Sequence, residues 1–218
     1  MNPGIINKIF EIFKSKNPNP QIELNYTNNY TLLVAVVLSA RTTDVQVNKA
    51  MAPLFKIIKT PKDMLELGEN GLIEYVRSIG LYSTKARNVL RLSELLVEHY
   101  DSKIPANFEQ LRALPGVGNK TAKVVLNYAF DQPVIGVDTH VFRVANRLGF
   151  TAKNSVQKVE EDLEKVIPKK WKLGCHRWLV LHGRYVCKAR KPLCSQCSVA
   201  KYCKHFQNDT FDPPKTKK

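Results

Sequence analysis

Carboxylates are scarce in this chain. Its 218 residues include 19 Asp and Glu against 34 Lys and Arg, a formal net charge of +15. Such an excess attracts polyanions. Nucleic acid leads over an anionic membrane, because neither a basic amphipathic helix nor a lipidation signal is present. Long apolar runs are missing too. The run at residues 32–38 is far shorter than the roughly 20 residues a membrane helix needs. No secretory leader is visible, so the chain is expected to be soluble and intracellular. No two-residue hairpin sits between alternating flanks, which leaves the all-α class. No fixed-period repeat suggests a solenoid, and nothing signals an obligate oligomer, so a monomer is expected. A hydrophobic content of 44% rules out wholesale disorder.

What is present reads as helices. Ile5, Ile6, Ile9, Phe10 and Phe13 fall at helical spacing, which predicts a docked amphipathic helix. Residues 30–40 are apolar all round, the mark of a buried central helix. Asp44 is expected to cap the next helix, through Val47, Ala50, Met51 and Leu54. Pro61 opens a short helix stopping at Gly68, and residues 70–79 form another that ends at Gly80. Ser83 or Thr84 starts a long helix to about Tyr100. Further helices are expected around Phe108, Leu111 and Leu114, then over 119–130, 141–148, from Ser155 or Val156 to Pro168, and over 173–187. The stretch 207–218 reads as a frayed tail.

Four of the five cysteines lie in one short run, Cys187, Cys194, Cys197 and Cys203, spaced C-x6-C-x2-C-x5-C. In a chain without a leader, thiols stay reduced, so disulfides are disfavoured. Four soft thiolates select an iron–sulfur cluster or zinc. Structural zinc usually takes two close Cys pairs. Only one C-x2-C pair is present, which tilts the choice toward a [4Fe–4S] cluster. The fifth, Cys175, reads as a buried thiol. His140, His176 and His182 show no ligand-like pairing with the cysteines and read as packing or hydrogen-bonding residues.

The segment Leu114-Pro115-Gly116-Val117-Gly118-Asn119-Lys120-Thr121-Ala122 joins two predicted helices. Glycines in such a turn let backbone N–H groups face an anion at a helix start. That is the pattern of the helix–hairpin–helix motif, which positions a protein on a phosphate without reading bases. The plainer reading is a tight corner between packed helices. It is not a P-loop, since the four-residue gap before Gly-Lys is missing. Lys120 sits near the positive end of a helix dipole, which should depress its pKa and favour a nucleophilic amine. A simple phosphate contact is the alternative. Asp138 is either an N-cap or a carboxylate that stabilises positive charge at a sugar C1′ and relays a proton.

The hairpin, the Val137-Asp138-Thr139-His140-Val141 segment and the cysteine run occur in that order. With Leu38-Ser39-Ala40, Thr43-Asp44, Ile79-Gly80-Leu81-Tyr82 and Leu181-His182-Gly183-Arg184-Tyr185, they resemble the endonuclease III family of helix–hairpin–helix DNA glycosylases, over roughly residues 1–206. The resemblance implies a six-helix bundle at 22–132 with the helix–hairpin–helix motif at about 108–130. A cluster domain would comprise 1–21 and 133–206, with a DNA-binding cleft between the two. It implies that Lys120 attacks C1′ of a flipped damaged pyrimidine nucleotide, assisted by Asp138. An imine then forms and β-elimination cuts the strand 3′ to the lesion. The partner is duplex DNA holding a damaged pyrimidine or an abasic site.

The same resemblance makes Leu81 the apolar wedge that fills the vacated stack. A second filler, usually glutamine, is Arg41 here. Arginine favours guanine edges, so a shifted preference for the opposite base is expected. Gly116, Val117 and Gly118 would meet a phosphate, as would Lys188, Arg190 and Lys191 on a cluster-braced loop. Two other readings stand beside this one. The first is a monofunctional adenine or mismatch-thymine glycosylase, which generally lacks the hairpin lysine. The adenine enzymes also carry a carboxylate in the helix matching 30–40, where this chain is apolar. The second is a non-enzymatic Fe–S protein that binds DNA or transfers electrons.

Overall fold

A computed structural model describes residues 1–209, with side chains through Gln207. No strand occurs among them. The chain forms two compact units, one spanning Ile22–Gln132 and the other joining Met1–Gln21 to the segment that starts at Pro133.

The continuous unit holds α2 (Asn29–Leu38), α3 (Asp44–Ile57), α4 (Pro61–Val76), α5 (Tyr82–Tyr100), α6 (Phe108–Ala113) and α7 (Asn119–Ala129). Every residue of α2 after Asn29 is buried, as apolarity on all faces requires. It packs against α3, α5 and α7. Its start is fixed reciprocally: the Asn28 side chain accepts the Thr31 N–H while the Thr31 hydroxyl accepts the Asn28 N–H. The Tyr30 hydroxyl is held 2.7 Å from Ser93 Oγ, and burial pushes its phenol pKa up.

Two local expectations shift. Thr43, not Asp44, caps α3 through the Gln46 N–H, and Asp44 becomes the first helical residue, where its charge suits the dipole. The helix from Pro61 stops at Gly68 as expected, where φ is 72° and ψ 174°, values only glycine adopts easily, but the helix after it ends at Val76 and not at 79.

The divided unit holds α1 (Pro3–Lys16), α8 (Thr139–Leu148), α9 (Val156–Val166), α10 (Lys169–Tyr185) and α11 (Lys204–Asp209), with 3-10 turns at Cys194–Gln196 and Ala200–Tyr202. Helix α1 buries Ile6, Ile9, Phe10 and Phe13. The Phe10 ring stacks on Phe150 at 5.8 Å and on Trp171 at 5.9 Å. Trp171 Nε1 donates to Asn7 Oδ1 and Trp178 Nε1 to the Asn17 carbonyl, both at 2.8 Å. These bonds pin the N-terminal helix to α10. Cys175 is fully buried there, and burial pushes its thiol pKa up. Helix α11 extends order past the expected start of the frayed tail at 207: Gln207 is helical and its side chain donates to the Lys201 carbonyl. The rest of that tail, 210–218, lies outside the described residues.

Candidate functional site

The glycine turn sits between α6 and α7. The Val117 N–H donates to the Leu114 carbonyl at 3.1 Å, closing it. Gly116 has φ +78°, and a Cβ there would lie 3.1 Å from both Asn88 Cβ and Val37 Cγ1. Both sign and space therefore demand glycine. Gly118 brings no capping side chain to α7, and an uncapped helix start suits an external phosphate. Val117 has its side chain buried and its N–H engaged within the turn, so it shapes the corner.

Lys120 is the second residue of α7 and half-buried, at the positive end of the helix. Asp138 caps α8. Its Oδ1 accepts the His140 and Val141 N–H groups, each at 2.8 Å. Capping and a role toward substrate are compatible in one half-buried carboxylate. Burial lowers the His140 pKa, outweighing the pull of Asp138, so the ring is neutral near pH 7. Lys120 belongs to the continuous unit and Asp138 to the divided one.

Arg41 and Leu81 share one backbone peculiarity. Both have positive φ, 57° and 60°, a left-handed geometry that costs a non-glycine residue about 1–2 kcal/mol. Leu81 is 63% exposed, and Arg41 is exposed as well.

Cys187, Cys194, Cys197 and Cys203 line one pocket with Leu148, Val186 and Leu193. Among the described residues no three His, Cys, Asp or Glu converge as a lone metal ion would require. Four soft thiolate donors around one apolar pocket suit an iron–sulfur cluster or zinc. Burial raises the Cys197 and Cys203 thiol pKa values, and the neighbouring thiols add to it, so a bound metal must displace protons there.

The loop is gripped by residues the sequence did not single out. Arg147 Nη1 lies 3.4 Å from Cys187 Sγ and 2.7 Å from the Lys188 carbonyl, and its Nη2 donates to the Ala189 carbonyl at 2.9 Å. One turn earlier, Arg143 donates to the Cys187 and Gly183 carbonyls at 3.0 and 2.8 Å. His182 Nε2 stands 3.7 Å from Cys197 Sγ, and burial lowers that histidine's pKa to about 4. His182 is thus a hydrogen-bonding neighbour of the sulfur, within the packing or hydrogen-bonding part expected of it. His176 Nδ1 meets the Gly136 carbonyl at 2.7 Å, an ordinary buried pairing. Lys188, Arg190 and Lys191 are exposed along the gripped loop. The sole advance signal for the arginine pair was their i, i+4 spacing, which is ordinary on a helix.

The HhH-GPD superfamily base excision DNA repair protein profile matches residues 34–169, and the iron–sulfur binding domain of endonuclease III matches 187–203. Endonuclease III of Rickettsia prowazekii is 52% identical over 208 residues, covering 95% of this chain and 98% of the relative. The chain belongs to the endonuclease III family. Endonuclease III of Escherichia coli K12 is 48% identical, with 94% and 97% of the two chains covered. A solved endonuclease III trapped in a covalent intermediate with DNA, an estranged-adenine complex, aligns at TM-score 0.88 and 40% identity, covering 96% of this chain and 99% of that one. A thermostable thymine-DNA glycosylase, 24% identical at TM-score 0.81 over 94% and 95% of the chains, shares the fold. Family membership makes the cofactor of the cysteine loop a [4Fe–4S] cluster, and the apolar, four-thiol cavity fits it.

Proposed function

We propose that this endonuclease III family member is a base-excision-repair glycosylase that removes oxidised pyrimidines from duplex DNA and then cuts the strand as an AP lyase, acting as a single chain. The observation that carries this reading is Lys120. An amine stands at the start of α7, directly after a turn that only glycine can make, in a chain similar to one caught covalently on DNA.

The chemistry follows from the groups. The Lys120 amine attacks C1′ of the extruded nucleotide, the glycosidic bond breaks, and the base leaves with a proton. The C1′–O4′ bond then opens, O4′ takes up a proton, and C1′ becomes doubly bonded to the Lys120 nitrogen as a protonated imine. Removal of a proton from C2′ then expels the 3′ phosphate by β-elimination. Asp138 offers a carboxylate to the positive charge developing at the sugar and to the protons in transit. Gly116, Gly118 and the α7 start receive a backbone phosphate, as do Lys188, Arg190 and Lys191. Leu81 and Arg41 enter the vacated stack. Cys187, Cys194, Cys197 and Cys203 hold the cluster, which supplies a rigid cross-link for the loop.

Borohydride trapping tests the reading. Cluster-loaded protein on a duplex with one thymine glycol should give a covalent band that Lys120→Ala abolishes. Base release with no band from the unaltered protein would move the assignment to a monofunctional glycosylase. Neither band nor base release would leave a DNA-binding protein.

A further inference from the structure

Lys85 is a lysine where none is expected. It lies on α5, is 5% exposed, and meets no carboxylate among the described residues. Lysines are almost never this buried without a counter-ion, because the ammonium loses its water. Burial depresses its pKa, in keeping with that loss. What the side chain does reach is Thr42. Nζ donates to Thr42 Oγ1 at 2.8 Å, across 43 positions of sequence.

The two ends of this bond are informative. Thr42 follows Arg41, and Lys85 stands one helical turn after Leu81, its own N–H donating to the Leu81 carbonyl at 3.0 Å. Arg41 and Leu81 are the two strained, exposed tips described above. One residue therefore holds Leu81 through its backbone and the neighbour of Arg41 through its side chain. Thr42 is itself anchored, its N–H donating to the Ser39 carbonyl at 3.0 Å. Packing alone gives no reason for an ammonium here, since an apolar side chain would fill the same space with less desolvation.

We infer that Lys85 is a positioning residue that cross-links the two loop tips, fixing the spacing at which Leu81 and Arg41 enter the duplex together. The inference rests on the reading of those two residues as fillers of the vacated stack. Its consequence is that extrusion, not bond breaking, suffers when the Lys85–Thr42 bond is lost. A tip that is free to relax from its left-handed geometry no longer meets the gap in step with its partner.

The experiment uses full-length, cluster-loaded protein and a duplex with one thymine glycol beside a 2-aminopurine, whose fluorescence reports unstacking. Single-turnover excision and the fluorescence step are followed together. Lys85→Met and Thr42→Val should each slow both by roughly tenfold. The double variant should be no slower than the slower single one, because both remove one bond. Lys85→Arg, which keeps a donor, should recover part of the loss. Losses that multiply in the double variant would overturn the inference. So would slowed excision with an unchanged fluorescence step, or a wild-type rate in Thr42→Val, which removes only a half-buried hydroxyl and serves if Lys85→Met misfolds. Leu81→Ala separates the two claims. If it leaves both signals unchanged, the stack-filling reading itself fails; if it abolishes the step while the Lys85 and Thr42 losses multiply, the cross-link alone fails.

Discussion

The two units solve the same problem from opposite starting points. The continuous one is built around α2, a helix with no polar face, and its other helices come from a single stretch of chain. The divided one has no such helix. Its core is assembled from α1 and the helices that follow Pro133, around Phe10, Trp171 and Trp178, and its cysteine loop is tied down by arginines. In the first, apolar burial around α2 leads, with the Asn28 cap and the Tyr30–Ser93 bond in support. In the second, aromatic stacking, indole hydrogen bonds and a cofactor share the task.

The sharpest way to break that contrast is to charge α2. Val34→Asp puts an unpaired carboxylate where no surface is exposed and should cost more than about 4 kcal/mol, so the continuous unit should be unfolded by circular dichroism at room temperature. A folded variant would mean that α2 is less central than its burial indicates.

Next comes the arginine grip. Arg147→Met keeps length but removes donors to Cys187 Sγ and two carbonyls. Loss of such an outer partner typically costs 10–100-fold in metal retention. Cluster absorbance under a chelator should decay faster by about that factor, while the melting of the continuous unit stays put.

Gly116→Ala comes third. The positive φ and two 3.1 Å contacts should cost about 1–2 kcal/mol and weaken DNA binding. A salt titration of the affinity should show a shallower slope if a phosphate contact is lost.

The smallest effect concerns pH. Burial holds the His140 pKa below its unfolded value near 6.5. Between those two values the unfolded chain binds a proton that the folded chain does not, so stability rises with pH and is lost as pH falls through that window. In His140→Gln the melting temperature should depend less on pH as it falls below about 6.5.

The sequence revealed most where one force acts alone. Residues 30–38 could only be a buried helix, and Gly68 could only interrupt one. The cysteine spacing announced a metal loop without showing how it is held. The capping residue of α3 was misassigned because Thr43 and Asp44 are adjacent and both can cap, and geometry alone chooses between them. Arg143 and Arg147 were invisible since their partners are carbonyls some forty residues away, and carbonyls leave no trace in composition. Lys85 went unremarked for a related reason: a lysine on a helix reads as surface until the loop that covers it is known.

The indole bonds from Trp171 to Asn7 and from Trp178 to Asn17 span 164 and 161 positions of sequence. During synthesis at roughly 5–20 residues per second, α1 therefore waits on the order of 10–30 s for the helix it docks on. Until residues 135–179 emerge, its Ile6, Ile9, Phe10 and Phe13 lack the core they pack into. The continuous unit, made in the interval, has everything it needs to fold while the ribosome is still working. Birth order thus runs bundle first and cluster unit last, and α1 is the segment a chaperone has most reason to hold.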